Sequence, residues 1–212
     1  MSNTAKEPSR ATQLGFLVDL GRCVQCEACV AACKASHHLE RGIRWRRVIT
    51  YWQGAFPSVR NRSFTVSCQH CEHPACVEAC PSSALVKRSQ DGVVRVDRDA
   101  CSSCRACGLA CPYGAIQFGV DEFPQKCDFC SSRLEQDLAP SCVATCPAEA
   151  LRFGTTDDLA AVAESVRVAG ELSPALFVVP SRQAWDANAF YKVLSRAAEP
   201  SVPTALTVIV ER

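Results

Sequence analysis

Cysteines at fixed short intervals open the chemistry of this sequence. The most regular run is Cys101, Cys104, Cys107 and Cys111, followed by Pro112, a C-x2-C-x2-C-x3-C-P spacing. Thiolates two residues apart let one short loop ligate three irons of a cubane cluster, while the fourth, after a longer gap, is placed to serve a second cluster. Pro112 disfavours helical backbone at Cys111 and turns the chain outward. Three related runs surround it. Cys23, Cys26, Cys29 and Cys33 keep the spacing with Lys34 in place of the proline. Cys68, Cys71, Cys76 and Cys80, ahead of Pro81, widen the second gap by two residues. Cys127, Cys130, Cys142 and Cys146, ahead of Pro147, widen it to eleven.

All 16 cysteines fall in these runs. Structural zinc favours separate C-x2-C knuckles, and runs this crowded leave no room for separate tetrahedral sites. Disulfide frameworks belong to small secreted chains, and residues 1–12 are polar with no apolar core of a signal peptide. Iron–sulfur ligation is the reading that uses every thiol. Colour separates it from zinc, since an iron–sulfur protein is brown. The formal net charge of +1 gives no reason to expect nucleic acid. No apolar run approaches the roughly 18 residues of a membrane span, so the chain is expected to be soluble, or held at a membrane by a partner. Arg46-Arg47 is internal and is not read as a twin-arginine export signal. There is no G-x-G-x-x-G after a strand, no P-loop and no G-x-S-x-G elbow. With every cysteine taken as a ligand, no catalytic residue is assigned.

The elements that must position these thiols recur as strand, cysteine loop, short helix and strand. Gly15 to Leu20 reads as the strand entering the first run, and Ala115 to Gly119 and Ala150 to Gly154 as strands trailing the third and fourth. Ala84 to Arg88 and Val93 to Asp97 flank an Asp91-Gly92 turn, a hairpin signal that joins the second run to the third. Residues 36–63 carry Arg41, Arg44, Arg46, Arg47, Arg60 and Arg62 with Trp45, Tyr51, Trp52 and Phe56. A basic, aromatic segment can be a nucleic-acid stripe, which the balanced charge of the whole chain disfavours; the main readings are a loop packed on the domain with solvated charges, or a protein contact, where Trp, Tyr and Arg are usual anchors. Beyond the cysteines, Asp157 to Ala169 predicts a helix capped by Thr156 and stopped by Gly170. Asp186 to Ala197 predicts another, and Ala175 to Val179 and Thr204 to Val210 are strand-like. His70 and His73 sit inside the second run, where four cysteines already suffice, so a supporting or surface role is expected. His37 and His38 read as solvated loop. Arg105 and Lys126 lie beside ligands, either offsetting cluster charge or simply solvated.

Crossing of each fourth cysteine, with the first unit paired to the fourth and the second to the third, gives four [4Fe-4S] clusters. Cluster one takes Cys23, Cys26, Cys29 and Cys146; cluster two takes Cys127, Cys130, Cys142 and Cys33. Cluster three takes Cys68, Cys71, Cys76 and Cys111; cluster four takes Cys101, Cys104, Cys107 and Cys80. Each oxidised cubane with four thiolates carries about −2, so the loaded chain is strongly anionic.

Together with Cys68-Gln69-His70-Cys71-Glu72-His73-Pro74-Ala75-Cys76, Cys111-Pro112-Tyr113-Gly114 and Lys126-Cys127-Asp128, the runs from Gly15 to Gly154 resemble the four-cluster electron-transfer (B) subunits of the molybdopterin oxidoreductase superfamily. These are of the dimethyl sulfoxide, polysulfide and tetrathionate reductase type. The resemblance implies an α+β fold of two ferredoxin-like modules, an outer one from residues 13–35 and 120–156 and an inner one from 64–119. To these are added the 36–63 insertion and a docking tail over 157–212. It implies the same ligand assignment, a molybdenum or tungsten catalytic subunit near cluster one, and a membrane anchor subunit with a quinone site near cluster four. Some relatives replace one ligand of cluster four and hold three irons there; this chain keeps Cys104. A free polyferredoxin acting as a diffusible carrier is the rival reading.

Overall fold

The computed structural model describes residues 12–53, 56–163, 165–168, 174–179 and 207–208. In chain order the elements are β1 (Leu14–Asp19), α1 (Ala28–Ser36), β2 (Arg47–Gln53), β3 (Arg60–Val66), α2 (Ala75–Glu78), β4 (Leu85–Lys87), β5 (Val94–Val96), α3 (Ala106–Ala110) and β6 (Gln117–Phe118). They continue as β7 (Pro124–Gln125), α4 (Ser131–Leu134), α5 (Ser141–Ala144), β8 (Leu151–Thr155), α6 (Thr156–Ala160), β9 (Val166–Arg167), β10 (Leu176–Val179) and β11 (Thr207–Val208). This is a mixed fold of short helices and small sheets.

The largest sheet has the order β8-β1-β10-β9. β1 is apolar on both faces (Gly-Phe-Leu-Val), as befits a strand covered on both sides, and Phe16, Leu17 and Val18 are buried. It pairs antiparallel with β8 through Phe16 opposite Phe153, and parallel with β10 through Phe16 opposite Leu176. β1 therefore joins the strand that leaves the fourth cysteine run to a strand from the tail. Its Phe16 ring stacks on Phe129 at 4.3 Å. Phe129, between Cys127 and Cys130, is fully buried at the centre of the main apolar cluster, with Val18, Phe64, Val66, Val93, Tyr113 and Leu151. That cluster draws on residues of every cysteine unit.

The Asp91-Gly92 hairpin forms as expected. β4 and β5 pair with Leu85 opposite Val96, and Gly92 takes the positive φ of +70° that the turn demands. The insertion departs from a loop. β2 and β3 make an antiparallel hairpin from Arg47 opposite Val66 to Gln53 opposite Arg60, and β11 adds to it in parallel. Val48, Phe64 and Val66 face the core from this hairpin.

The predicted helix over Asp157 to Ala169 is cut short. α6 ends at Ala160, and Val166–Arg167 is a strand beside β10, with Val168 N–H donating to Leu176 O at 2.9 Å. A free sheet edge overrides the 3.6-residue pattern, and Ser165 Oγ donates to Leu159 O at 2.7 Å, closing off the helix. The cap is Thr155 rather than Thr156, its Oγ1 accepting from Asp158 N–H at 3.1 Å. The expected Asp186–Ala197 helix and the Gly170 stop lie outside the described residues.

Gly15 sits where β1 meets the segment entering β10; a Cβ there would lie 2.6 Å from Ala175 O, a backbone atom that cannot swing aside. Gly15→Ala is expected to lower stability by about 1–3 kcal/mol, checked by the shift in denaturant midpoint of the loaded protein.

Candidate functional site

The helices carry the C-x3-C end of each cysteine run. Cys29 and Cys33 both lie on α1; Cys107 is on α3 and Cys111 is its C-cap; Cys76 and Cys142 are on α2 and α5, with Cys80 and Cys146 just beyond. Residues four apart share a helix face, displaced by about 6 Å along the axis. One helical turn thus presents two thiols to two different neighbourhoods. α1 lies beside α5, and α2 beside α3.

Two four-thiol cavities result, and the remaining thiols lie close to one another and to these. Cys23, Cys26, Cys29 and Cys146 line one cavity, with Val48, Thr65 and Leu151. Cys68, Cys71, Cys76 and Cys111 line a second, with Val94, Ile116 and Tyr113. Cys33 lies within electrostatic reach of Cys130 and Cys142, and Cys127 of Cys142 and Cys33. Cys107 lies within reach of Cys80, Cys101 and Cys104. Every cysteine is a free thiol, so none is bridged to another.

The loops before the helices are bent to receive negative charge. Gln25 and Glu27, Ser103 and Arg105, and Phe129 with Cys130 all have left-handed backbone, φ 52–63°. That conformation costs a non-glycine residue about 1–2 kcal/mol, and it turns successive N–H groups into one concavity, a nest for anions. Ser103 N–H points at Cys101 Sγ and Phe129 N–H at Cys127 Sγ, each at 3.4 Å. Ala84 N–H donates to Cys80 Sγ at 3.2 Å. Inward N–H groups and two cavities each lined by four thiols fit polynuclear iron–sulfur clusters.

Burial dominates the thiol electrostatics. It pushes Cys33, Cys71 and Cys76 to about 12, and Cys127 well above its ordinary value. Cys80 goes the other way. Its slight burial penalty is outweighed by hydrogen bonds from Leu85 and Ala84 N–H and from Ser82, which lower it. Cys26 and Cys104 are exposed.

Several polar residues sit elsewhere than their sequence neighbourhood suggests. Arg46, whose segment reads as carrying either solvated charges or a protein contact, is 2 % exposed. His37 is half-buried rather than solvated. Its Nε2 is 3.2 Å from Cys130 Sγ and 3.8 Å from Asp128 Oδ1, and its ring lies on Trp45. Lys126 is buried, donating to Val94 O and, at 2.9 Å, to Cys127 O, whereas Arg105 is exposed and paired with Glu122. His70 is buried, its Nδ1 accepting from Val94 N–H at 3.0 Å; burial and then the nearby Lys126 hold it well below the ordinary histidine value. His38 and His73 are exposed. Arg46 and His37 carried no spacing signal, because strand pairing and loop packing bring them to the thiols.

The 4Fe-4S dicluster domain family matches residues 59–156. The probable anaerobic dimethyl sulfoxide reductase chain YnfG of Escherichia coli (strain K12) is 39 % identical over 179 residues, 80 % of this chain and 87 % of that one. The B chain of anaerobic dimethyl sulfoxide reductase from the same organism is 43 % identical over 157 residues, covering 70 % and 76 %. The protein belongs to the family of dimethyl sulfoxide reductase B chains. The B subunit of sulfite dehydrogenase from Allochromatium vinosum is a further relative, 40 % identical over 169 residues, covering 69 % of this chain and 70 % of its own length. Membership brings iron–sulfur subunits of molybdopterin oxidoreductases, the family the cysteine runs suggested, and gives no support to a free polyferredoxin. Among the described residues no helix is long and apolar enough to cross a membrane.

Thiols held up to about 12 stay protonated at neutral pH, so each must release its proton before it can ligate iron. Loading of the cluster-free chain with ferrous iron and sulfide is therefore expected to tighten by about 100-fold for each such thiol between pH 7 and pH 9, with proton release on uptake. Iron-binding curves in weakly buffered anaerobic solution check this.

Proposed function

We propose that this chain is the electron-transfer subunit of a larger oxidoreductase, holding four [4Fe-4S] clusters and performing no catalysis alone. The observation that supports the reading is a pair of cavities, each lined by three thiols of one run and one of another: Cys23, Cys26 and Cys29 with Cys146, and Cys68, Cys71 and Cys76 with Cys111. In this reading Cys23, Cys26, Cys29 and Cys146 hold cluster one, and Cys127, Cys130, Cys142 and Cys33 hold cluster two. Cys68, Cys71, Cys76 and Cys111 hold cluster three, and Cys101, Cys104, Cys107 and Cys80 hold cluster four. The β1–β8 pairing and the α1–α5 contact support an outer module made from the first and fourth units; the β4–β5 hairpin and the α2–α3 contact support an inner one from 64–119. When bound, the clusters would supply one-electron transfer.

The chain's own residues do the rest. The nests before α1 and α3 and after Cys127 direct N–H groups at sulfur, which favours the more negative, reduced state. Phe16, Phe129, Val94 and Tyr113 keep water from the inner sets. The outer sets are more open, with Cys26 in the first and Cys104 in the fourth exposed, beside Val24 (65 %) and Leu109 (92 %). Solvent-exposed apolar residues next to both terminal sets suit docking of redox partners at either end. We assign these to a molybdopterin catalytic subunit at the Cys23 end and a membrane-anchored quinone-reactive subunit at the Cys104 end.

Anaerobic iron analysis is expected to give about 16 irons per chain, four for each cubane; about 12 would remove a cluster. Cys104→Ser is expected to alter one low-temperature paramagnetic signal and leave those of the Cys23 and Cys127 sets intact. A change in those two signals instead would break the nested assignment.

A further inference from the structure

Among the described residues, Arg46 is the one large, fully buried side chain that carries a fixed charge. Its guanidinium lies over the Phe16 ring at 4.4 Å, and donates from Nη1 to Thr65 Oγ1 at 3.2 Å and from Nη2 to Ser67 Oγ at 2.9 Å. Thr65 is 4 % exposed and Ser67 6 %. None of these partners is anionic. A buried cation without a counter-charge costs several kcal/mol, so its opposite charge must be found nearby. The groups whose ionised, ligating form acts on it are the thiols of Cys142, Cys127, Cys29 and Cys33, and among the described residues no salt bridge joins it to a carboxylate.

Those four sulfurs come from two different sets. Cys29 belongs to the first, and Cys33, Cys127 and Cys142 to the second. Arg46 is also wired to the first set directly. Thr65 Oγ1 accepts from the guanidinium, which leaves its own proton free to reach Cys29 Sγ at 3.5 Å. α1 presents Cys29 to one set and Cys33 to the other, and the guanidinium sits where both converge.

We propose that Arg46 is the shared counter-charge of clusters one and two, a positioning residue that raises the reduction potentials of both. The inference rests on the four-cluster reading. A fixed positive charge near two metal centres stabilises whichever state is more negative, and in a low-dielectric interior a unit charge several ångströms away is worth more than a factor of ten in an equilibrium. The neighbouring cations do not duplicate it. Lys126 donates to Val94 O and Cys127 O, and Lys87 to Gln13 Oε1 and Cys71 O, beside the third set.

The test is redox-poised paramagnetic resonance on the cluster-loaded chain in the complex with which it purifies, comparing wild type, Arg46→Gln and Arg46→Lys. Iron content and four signals in the wild type address the cluster count separately. In Arg46→Gln two signals are expected to shift together to lower potential. Their reduced-to-oxidised ratio at fixed potential should fall at least about tenfold, equal to about 59 mV for a one-electron couple. The other two should hold, and Arg46→Lys should restore the pair. No shift, or a shift of one signal alone, overturns the proposal. If Arg46→Gln loses clusters, Arg46→Lys decides: retention of all four with wild-type midpoints shows that charge is what the site requires, and loss of the same clusters makes Arg46 a packing residue and ends the proposal.

Discussion

A sulfur that ligates iron must be ionised, and a sulfur that passes electrons through a protein interior must be shielded from water. Those two demands oppose each other, because burial penalises the thiolate. The opposition is visible at Cys33, Cys71, Cys76 and Cys127, where loss of solvent drives the thiols up. Most of the fold resolves it. Metal would take over the role of the proton, left-handed loops aim N–H groups at the sulfurs, and the buried cations Arg46 and Lys126 lie within electrostatic reach of them.

This constraint explains a molecule with many ligands and little regular structure. Strands of two to seven residues and helices of four to nine make up the described elements, too little to build a thick apolar layer. The main cluster is instead threaded between the cysteine sets, with Phe129 stacked on Phe16 and edged by His70. Ligation supplies cross-links that a small apolar core cannot, as structural metals do. Cys29 and Cys33 stand on the same face of α1, one turn of helix apart.

The cysteine runs and the Asp91-Gly92 hairpin were legible in the sequence because each depends on local spacing. Strands β1, β8 and β10 were legible within a residue, being short apolar runs bounded by polar ones. What local spacing does not carry was lost. The helical pattern after Thr156 gave way to pairing with β10, a partner made later in the chain. The basic insertion reads as surface, solvated or in a protein contact, because its arginines outnumber its acids, yet Arg46 lies at the foot of the β2–β3 hairpin, where Thr65 of the returning strand and Ser67 just past it meet it. His37 follows a helix that ends in a loop, and only the approach of the fourth run sets it against Cys130. In each case the deciding contact is between residues far apart in sequence.

The central strand of the main sheet has a further consequence for biosynthesis. β1 is made early, but both of its neighbours, β8 and β10, come from beyond Ala150. As the nascent polypeptide leaves the ribosome, its first strand waits exposed, and so do the thiols of Cys23, Cys26 and Cys29, whose companion Cys146 has yet to be translated. Non-local pairing of this kind is slow and leaves sticky edges open meanwhile. A chaperone that shields the amino-terminal third, and an iron-delivery step timed to follow release, would both answer a vulnerability written into the strand order.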